Sequence, residues 1–225
     1  MTYQFKKASI YLVIVLSLLS VESCRKKYFA TAEDMAEYGW VLYKSKDYIN
    51  SNSWFNDAVI KDIDWQDAYN GLGWSYSQLA GATAQHVLLD SGINNFMTAL
   101  TKPKDEWNIT DVQAEVLAGL TFAYHAKGND SKVLQFGSVF LDSTAKPLTP
   151  GWIFSHDSLL NYLDVRIVMA SSYFAKGKFD STIIQVKVIV DSTKYSKPAV
   201  TDTTLLGRKK MAEQLKELQE YLRTK

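Results

Sequence analysis

"YGWVLYKSKDY" (38–48) and "LGWSYSQLAG" (72–81) are two copies of one sequence pattern. Gly39 and Gly73 lie 34 residues apart, and a tryptophan directly follows each glycine. An apolar residue precedes each glycine, and Leu42 or Tyr76 comes three positions after it. A fixed internal period of this length is typical of proteins that stack one structural unit repeatedly along the chain. Most of the chain also places apolar residues three and four positions apart, which is helical spacing.

Two later segments repeat the pattern more loosely. In "LTFAYHAKGND" (120–130) and "MASSYFAKGKFDSTIIQVKVI" (169–189), a small residue, Thr121 or Ala170, is followed three positions later by a tyrosine and then by a glycine turn. The run 182–190 alternates like a strand, but we expect it to lie in the second helix of its repeat, because context overrides β propensity. The second copy carries about seven extra residues around 80–87, and we expect them to lengthen its inter-helix loop.

These four copies resemble tetratricopeptide repeats. In that family each repeat is a pair of antiparallel helices that cross closely at a small residue. The resemblance implies an all-α solenoid of about four helical hairpins over residues 32–204. We interpret residues 205–225 as a C-terminal capping helix, because Met211, Leu215, Leu218 and Leu222 share one face. A coiled-coil partner helix is the alternative, but two heptads are too few to favour it.

The N-terminus has the pattern of an export signal. An apolar run of about 14 residues (8–21) follows two lysines, and it is shorter than the roughly 20 residues that a spanning helix needs. Val21-Glu22-Ser23-Cys24 resembles a bacterial lipobox, which implies a cleaved signal peptide (1–23), a lipidated Cys24 and a tether (24–31). The alternative is an ordinary cleaved signal with an incidental cysteine. That alternative would leave the chain's only cysteine as a free thiol in an oxidising compartment.

The lipoprotein resemblance also implies a location. Acyl chains such as palmitate on Cys24 would give stable membrane anchoring, which a single chain does not. In enteric bacteria an aspartate directly after the cysteine favours the inner membrane, whereas this chain has Arg25. Surface-exposed lipoproteins of the Bacteroidota tend to carry an acidic run there, and here the run is basic. We therefore expect the mature protein at the outer membrane, facing the periplasm.

Charge and motif content exclude several function classes. Cleavage after residue 23 would leave 23 basic and 23 acidic residues, and this neutral balance argues against nucleic-acid binding. None of His86, His125 and His156 belongs to an H-E-x-x-H motif, and there is no cysteine partner for zinc. Motifs for nucleophilic or phosphate chemistry are also lacking. The sequence therefore predicts a protein that is not an enzyme and has no cofactor or metal.

The resemblance implies a binding surface instead. In tetratricopeptide arrays the first helices of successive repeats line a concave groove, which receives peptide segments of partner proteins. The positions that match groove positions or edge them here are Trp40, Tyr43, Lys44, Asn70, Trp74, Gln78, Phe122, His125 and Phe174. Aromatic residues in a groove suit peptide or protein recognition. The rival hypothesis is a small-molecule or glycan binder in which tryptophans stack on sugar rings. Both hypotheses require part of the Trp40 and Trp74 indoles to be accessible, and burial of these indoles in the core remains the alternative.

Overall fold

The computed structural model describes residues 29–104, 112–142 and 151–224, so Cys24 and the signal segment lie outside the described residues. A compact unit extends from Thr31 to Lys225. The helices of this unit are α1 (Ala32–Lys44), α2 (Tyr48–Lys61), α3 (Gln66–Thr83), α4 (Val87–Ala99), α5 (Val112–Ala126), α6 (Asp130–Asp142), α7 (Tyr162–Ala175), α8 (Phe179–Asp191) and α9 (Leu205–Arg223).

The helices pack in chain order as a solenoid-like array. Each odd-numbered helix from α1 to α7 pairs with the helix that follows it, and each pair packs on the next pair. The first helices α1, α3, α5 and α7 also contact one another in sequence, while α9 packs on α7. Within the described part of the chain there is no β-strand, and the only β-pairing is an isolated bridge between Ile153 and Asn161. The prediction of an all-α array of hairpins with a capping helix is confirmed.

Glycines allow the close helix crossings that the repeat pattern predicted. The Phe55 ring of α2 lies between Gly39 and Gly71. A Cβ added to Gly39 would lie 2.7 Å from this ring, and one added to Gly71 would lie 2.2 Å from it. The Phe96 ring of α4 lies between Gly73 and Gly119 in the same way, at 2.4 and 2.3 Å. These phenylalanines are fully buried. Each second helix therefore packs a large ring between two first helices that have no side chain at the contact.

A small residue of the second helix contacts a backbone carbonyl of the first helix at the same place in several pairs. Ser51 Oγ donates to the Gly39 carbonyl, 12 positions earlier, and Thr182 Oγ1 stands in the same relation to the Ala170 carbonyl. In the second pair the matching place is taken by Gly92, on which a Cβ would lie 3.0 Å from the Gly73 carbonyl oxygen. The first, second and fourth pairs are therefore equivalent in packing at this position, not only in sequence.

The seven extra residues of the second copy do not lengthen its loop, so that expectation was wrong. Three residues join α3 to α4, as three join α1 to α2. Instead, α3 continues ten residues past Gly73, whereas α1 ends five residues past Gly39, and α4 begins earlier relative to Gly92. Helical backbone satisfies its own hydrogen bonds, so an insertion of apolar and small residues is accommodated by longer helices.

Two further predictions concern single helices. The strand-like run 182–190 lies inside α8, where Thr182, Val186 and Ile189 form the buried face. The four apolar residues predicted to share one face of α9 are all buried. Both predictions are confirmed, since helical periodicity correctly identified the buried positions.

None of the described helices combines the length and the apolar character needed to cross a bilayer.

Candidate functional site

The segment between α6 and α7 covers part of the face formed by the first helices. We call residues 151–161 the plug segment and the surface of α1, α3, α5 and α7 the first-helix face. The plug segment has an extended start in which Trp152 and Phe154 are buried while Ile153 between them is exposed. It then turns back, because Phe154 N donates to the Leu160 carbonyl and Tyr162 N donates to the Trp152 carbonyl. These two bonds satisfy the carbonyl of the buried Trp152 and the N–H of the buried Phe154.

Aromatic stacking fixes the plug segment on the first-helix face. The Phe154 ring stacks on Trp74 of α3 with centroids 4.3 Å apart. The His156 ring stacks on Trp40 of α1 with centroids 3.5 Å apart and planes within 2° of parallel. Trp152 meets Phe140 of α6 edge-on at 5.1 Å. Such ring pairs each add about 0.5–1.5 kcal/mol beyond the area they bury.

The predicted groove tryptophans are therefore core residues in this structure. Trp40 and Trp74 are each only 4% exposed, and Tyr43 is 5% exposed. The expectation that part of each indole is accessible is not met, because residues 154 and 156 cover the indole faces. Whether a partner protein contacts this region stays a prediction.

The other predicted binding residues are distributed unevenly. Asn70 is fully buried beneath the plug segment. Gln78 donates from Nε2 to the Tyr43 hydroxyl, and Lys44 is exposed at the end of α1. Phe174 packs edge-on against Phe179 at the α7–α8 turn. Phe122 and His125, both half-buried on α5, line an open recess, and Trp74, Gln78 and Phe122 border a smaller one beside it.

A polar cluster lies beneath the plug segment. Asp67 of α3, Glu115 of α5 and His156 bring one ligand-type atom each to within 4.8 Å of one another. Trp40 Nε1 donates to Asp67 Oδ2 at 2.7 Å. Asn70 Nδ2 donates to both carboxylates, at 3.1 Å from Asp67 Oδ1 and 2.8 Å from Glu115 Oε2. The Ser155 hydroxyl and N–H both donate to Glu115 Oε1.

Burial determines the protonation of this cluster. Burial, followed by the nearby Asp67 carboxylate, raises the pKa of Glu115 to about 7. Burial also raises the pKa of Asp67. For His156, burial and then the charge of Lys44 lower the pKa to about 3, so the imidazole is neutral at physiological pH. Shifts of this size mark functional sites and buried structural networks alike.

An open recess remains where the plug segment ends. It has a volume of about 420 Å³ and is formed by α5, the 157–160 turn, α7 and α9. Phe122, Leu160, Ile167 and Leu222 provide its apolar lining, while His125, Asp157 and Arg223 bring charge or polarity. A smaller recess of about 230 Å³, between α3, α4 and α5, shares Phe122 and Leu160 with it. The two recesses are neighbours on the part of the first-helix face that the plug segment leaves uncovered.

The sequence patterns missed the plug segment and both carboxylates of the cluster. Two signals were present: the alternation of large residues in "WIFSH" (152–156), and a glutamate that directly precedes the apolar run 116–120 of α5. An ionisable residue that is 2% exposed, as Glu115 is, requires partners. Neither signal identifies those partners, because they lie 40 or more residues away in sequence.

Comparison of the chain with protein-family models gives no match, and comparison with curated protein sequences also gives none.

Proposed function

We propose that this chain is a membrane-anchored, non-catalytic helical module of the bacterial cell envelope that binds an extended peptide segment of a partner protein. Its tetratricopeptide-like repeats would provide the binding face, and Cys24, which lies outside the described residues, would provide the anchor. The anchor, its place at the outer membrane and the likeness to tetratricopeptide repeats rest on the sequence patterns alone.

One observation carries the binding proposal: the first-helix face already holds an extended segment of its own chain. Residues 152 and 154 enter apolar sites while residue 153 points away, which is how an extended peptide presents alternate side chains. The neighbouring recesses also offer apolar surface, and Phe122 and Leu160 line both of them. We therefore assign the partner segment to the uncovered recess, not to the tryptophan pair.

The rival function, a glycan site built on tryptophan, is less well supported. A sugar ring stacks on a free indole face, and the faces of Trp40 and Trp74 are covered by His156 and Phe154. The 420 Å³ recess is within the size range of small-molecule sites, but none of its lining residues is a tryptophan. Trp74 borders the 230 Å³ recess, but its side chain is only 4% exposed. Catalysis by the acidic cluster is also disfavoured, since the plug segment covers Glu115.

The experiment is a selection of 12-residue peptides displayed on phage against the full chain in detergent. We expect enriched peptides to carry apolar residues at alternate positions. Phe122→Ala should weaken a selected peptide by about 2 kcal/mol, roughly thirtyfold in Kd, as truncation of a central aromatic does. Fluorescence anisotropy of a labelled peptide measures this change.

The matched control is Ile184→Ala, which truncates a side chain that is 59% exposed on α8, away from the recess. This variant should bind the peptide as the unaltered chain does. Thermal melting of both variants must show that the fold is intact. Selected peptides that bind an intact Phe122→Ala variant with unchanged affinity would contradict the proposed recess, and a selection without enrichment would contradict peptide binding.

A further inference from the structure

The polar cluster has the composition and spacing of a metal site. Its three candidate ligands come from three separate elements: Asp67 from α3, Glu115 from α5 and His156 from the plug segment. His156 Nε2 and Glu115 Oε2 are 3.8 Å apart, too far for a hydrogen bond. Two ligands at about 2.1 Å from one metal ion stand roughly 3–4 Å apart. All three atoms lie within 4.8 Å of one another, so the widest pair would need to close by at most about 1–2 Å on binding an ion.

In the part of the chain that the structure describes, no lysine or arginine compensates the charge of the two carboxylates. Among the described residues, neither Asp67 nor Glu115 forms an ion pair with a lysine or an arginine. Two neighbouring buried carboxylates repel each other and are poorly solvated. A divalent ion between them would remove both penalties at once.

Buried polar atoms around the cluster point to the same conclusion. Within the described part of the chain, both ring nitrogens of His156 are buried and have no hydrogen-bond partner. Asn70 is 0% exposed, and its Oδ1 also has no partner although its Nδ2 contacts both carboxylates. A half-turn of this amide would place Oδ1 beside the carboxylates. A cation there would make that orientation favourable, and the oxygen would then be a fourth ligand.

The supporting hydrogen bonds resemble the outer shell of known metal sites. Trp40 Nε1 donates a hydrogen bond to one oxygen of Asp67. The backbone N–H and the hydroxyl of Ser155 both donate to Oε1 of Glu115. Such donors orient carboxylate ligands and limit their rotation. The neutral imidazole of His156 is the form that binds a metal.

We propose that Asp67, Glu115 and His156 bind one divalent first-row transition-metal ion, and that this ion fastens the plug segment to α3 and α5. A ligand set of one imidazole nitrogen with carboxylate and amide oxygens suits transition-metal ions of intermediate softness. It suits Mg²⁺ and Ca²⁺ less well, because these hard ions take oxygen ligands alone. Zn²⁺ is the best candidate, because it accepts four mixed nitrogen and oxygen ligands and binds such sites more tightly than Mn²⁺ or Fe²⁺ does.

The test is Zn²⁺ titration of the full chain, purified in detergent without a histidine tag and stripped with EDTA. We expect one Zn²⁺ per chain by calorimetry and a melting temperature that rises with Zn²⁺ concentration, as for any ligand that binds only the folded state. Mg²⁺ at the same concentrations should leave the melting temperature unchanged.

His156→Phe keeps a ring stacked on Trp40 but removes the nitrogen ligand, and it should weaken Zn²⁺ binding by at least about a hundredfold. His86→Phe, which alters an exposed histidine, should bind Zn²⁺ unchanged. If His156→Phe fails to fold, Glu115→Gln decides, since glutamine still accepts from Ser155. A chain that takes up no Zn²⁺, or ligand variants that bind it as tightly as the unaltered chain, would overturn the site.

Discussion

Trp40 joins three parts of the molecule through one side chain. Its ring meets Phe55 edge-on at 4.8 Å, inside the first helical pair. One face stacks on His156 of the plug segment, and Nε1 donates to Asp67 of α3. The indole therefore contributes apolar burial, stacking and a hydrogen bond at once, and its loss would affect all three.

We expect Trp40→Ala to lower the free energy of unfolding by about 3–5 kcal/mol, because it removes a fully packed aromatic ring and leaves a cavity. Trp54→Ala is the matched control: Trp54 is half-buried and its ring meets that of the exposed Tyr38, so its loss should cost far less. Urea denaturation followed by circular dichroism measures both. A loss below about 1 kcal/mol for Trp40→Ala would mean that the indole is not part of the core.

The role of Trp40 illustrates what the sequence can and cannot predict about a residue. The small residues at 39 and 73 were predictable, because their neighbours lie within one helical hairpin and follow a fixed spacing. The burial of the adjacent tryptophans depends on Phe154 and His156, which lie more than 70 residues away in sequence. Periodicity shows that a tryptophan lies on a particular face of a helix, but not what covers that face.

At the scale of the helix, the array depends on a ring held between two backbones. Gly119→Ala would place a methyl group 2.3 Å from the buried Phe96 ring, and we expect it to lower the free energy of unfolding by about 1–3 kcal/mol through overpacking. Thermal denaturation of the variant measures the change. The Phe96 ring cannot move away easily, because the α3 backbone at Gly73 packs against its other side.

Gly81→Ala is the control for this prediction, since it makes the same substitution on α3 at a place where nothing lies within 4 Å of the added Cβ. Alanine is favoured over glycine inside a helix by up to about 1 kcal/mol. Gly81→Ala should therefore stabilise the protein while Gly119→Ala destabilises it. Equal effects of the two substitutions would show that helix propensity, not packing against Phe96, determines the outcome.

The plug segment is the element that the repeat pattern could not predict. It lies between the third and fourth helical pairs and belongs to neither. Its alternation covers only residues 152–156, too few to distinguish a strand from a loop. Its position follows from tertiary contacts to α1, α3 and α5, so only the folded structure reveals that it occupies the face expected to bind a partner.

In the molecule as a whole, the plug segment separates the first-helix face into a covered part and an open part. Trp40 and Trp74 of α1 and α3 lie under the plug segment, whereas α5, α7 and α9 form the open recess. The capping helix α9 thus does more than end the array, since Leu222 and Arg223 line the recess. A binding surface at this position depends on the C-terminal helix as much as on the repeats.

The proposed membrane anchor concerns the whole molecule, and it depends on one group, the Cys24 thiol. Because the proposed anchor consists of acyl chains attached to that thiol, we expect Cys24→Ala to move the protein from the membrane pellet to the soluble fraction. Circular dichroism of the released protein should remain helical, because the compact unit begins at Thr31. Carbonate washing separates anchored from loosely bound protein, and mass spectrometry of the unaltered chain should show acyl chains on an N-terminal Cys24. A Cys24→Ala variant that still sediments with carbonate-washed membranes would refute the lipid anchor, whereas an unaltered chain that is soluble and lacks acyl chains would indicate an ordinary cleaved signal.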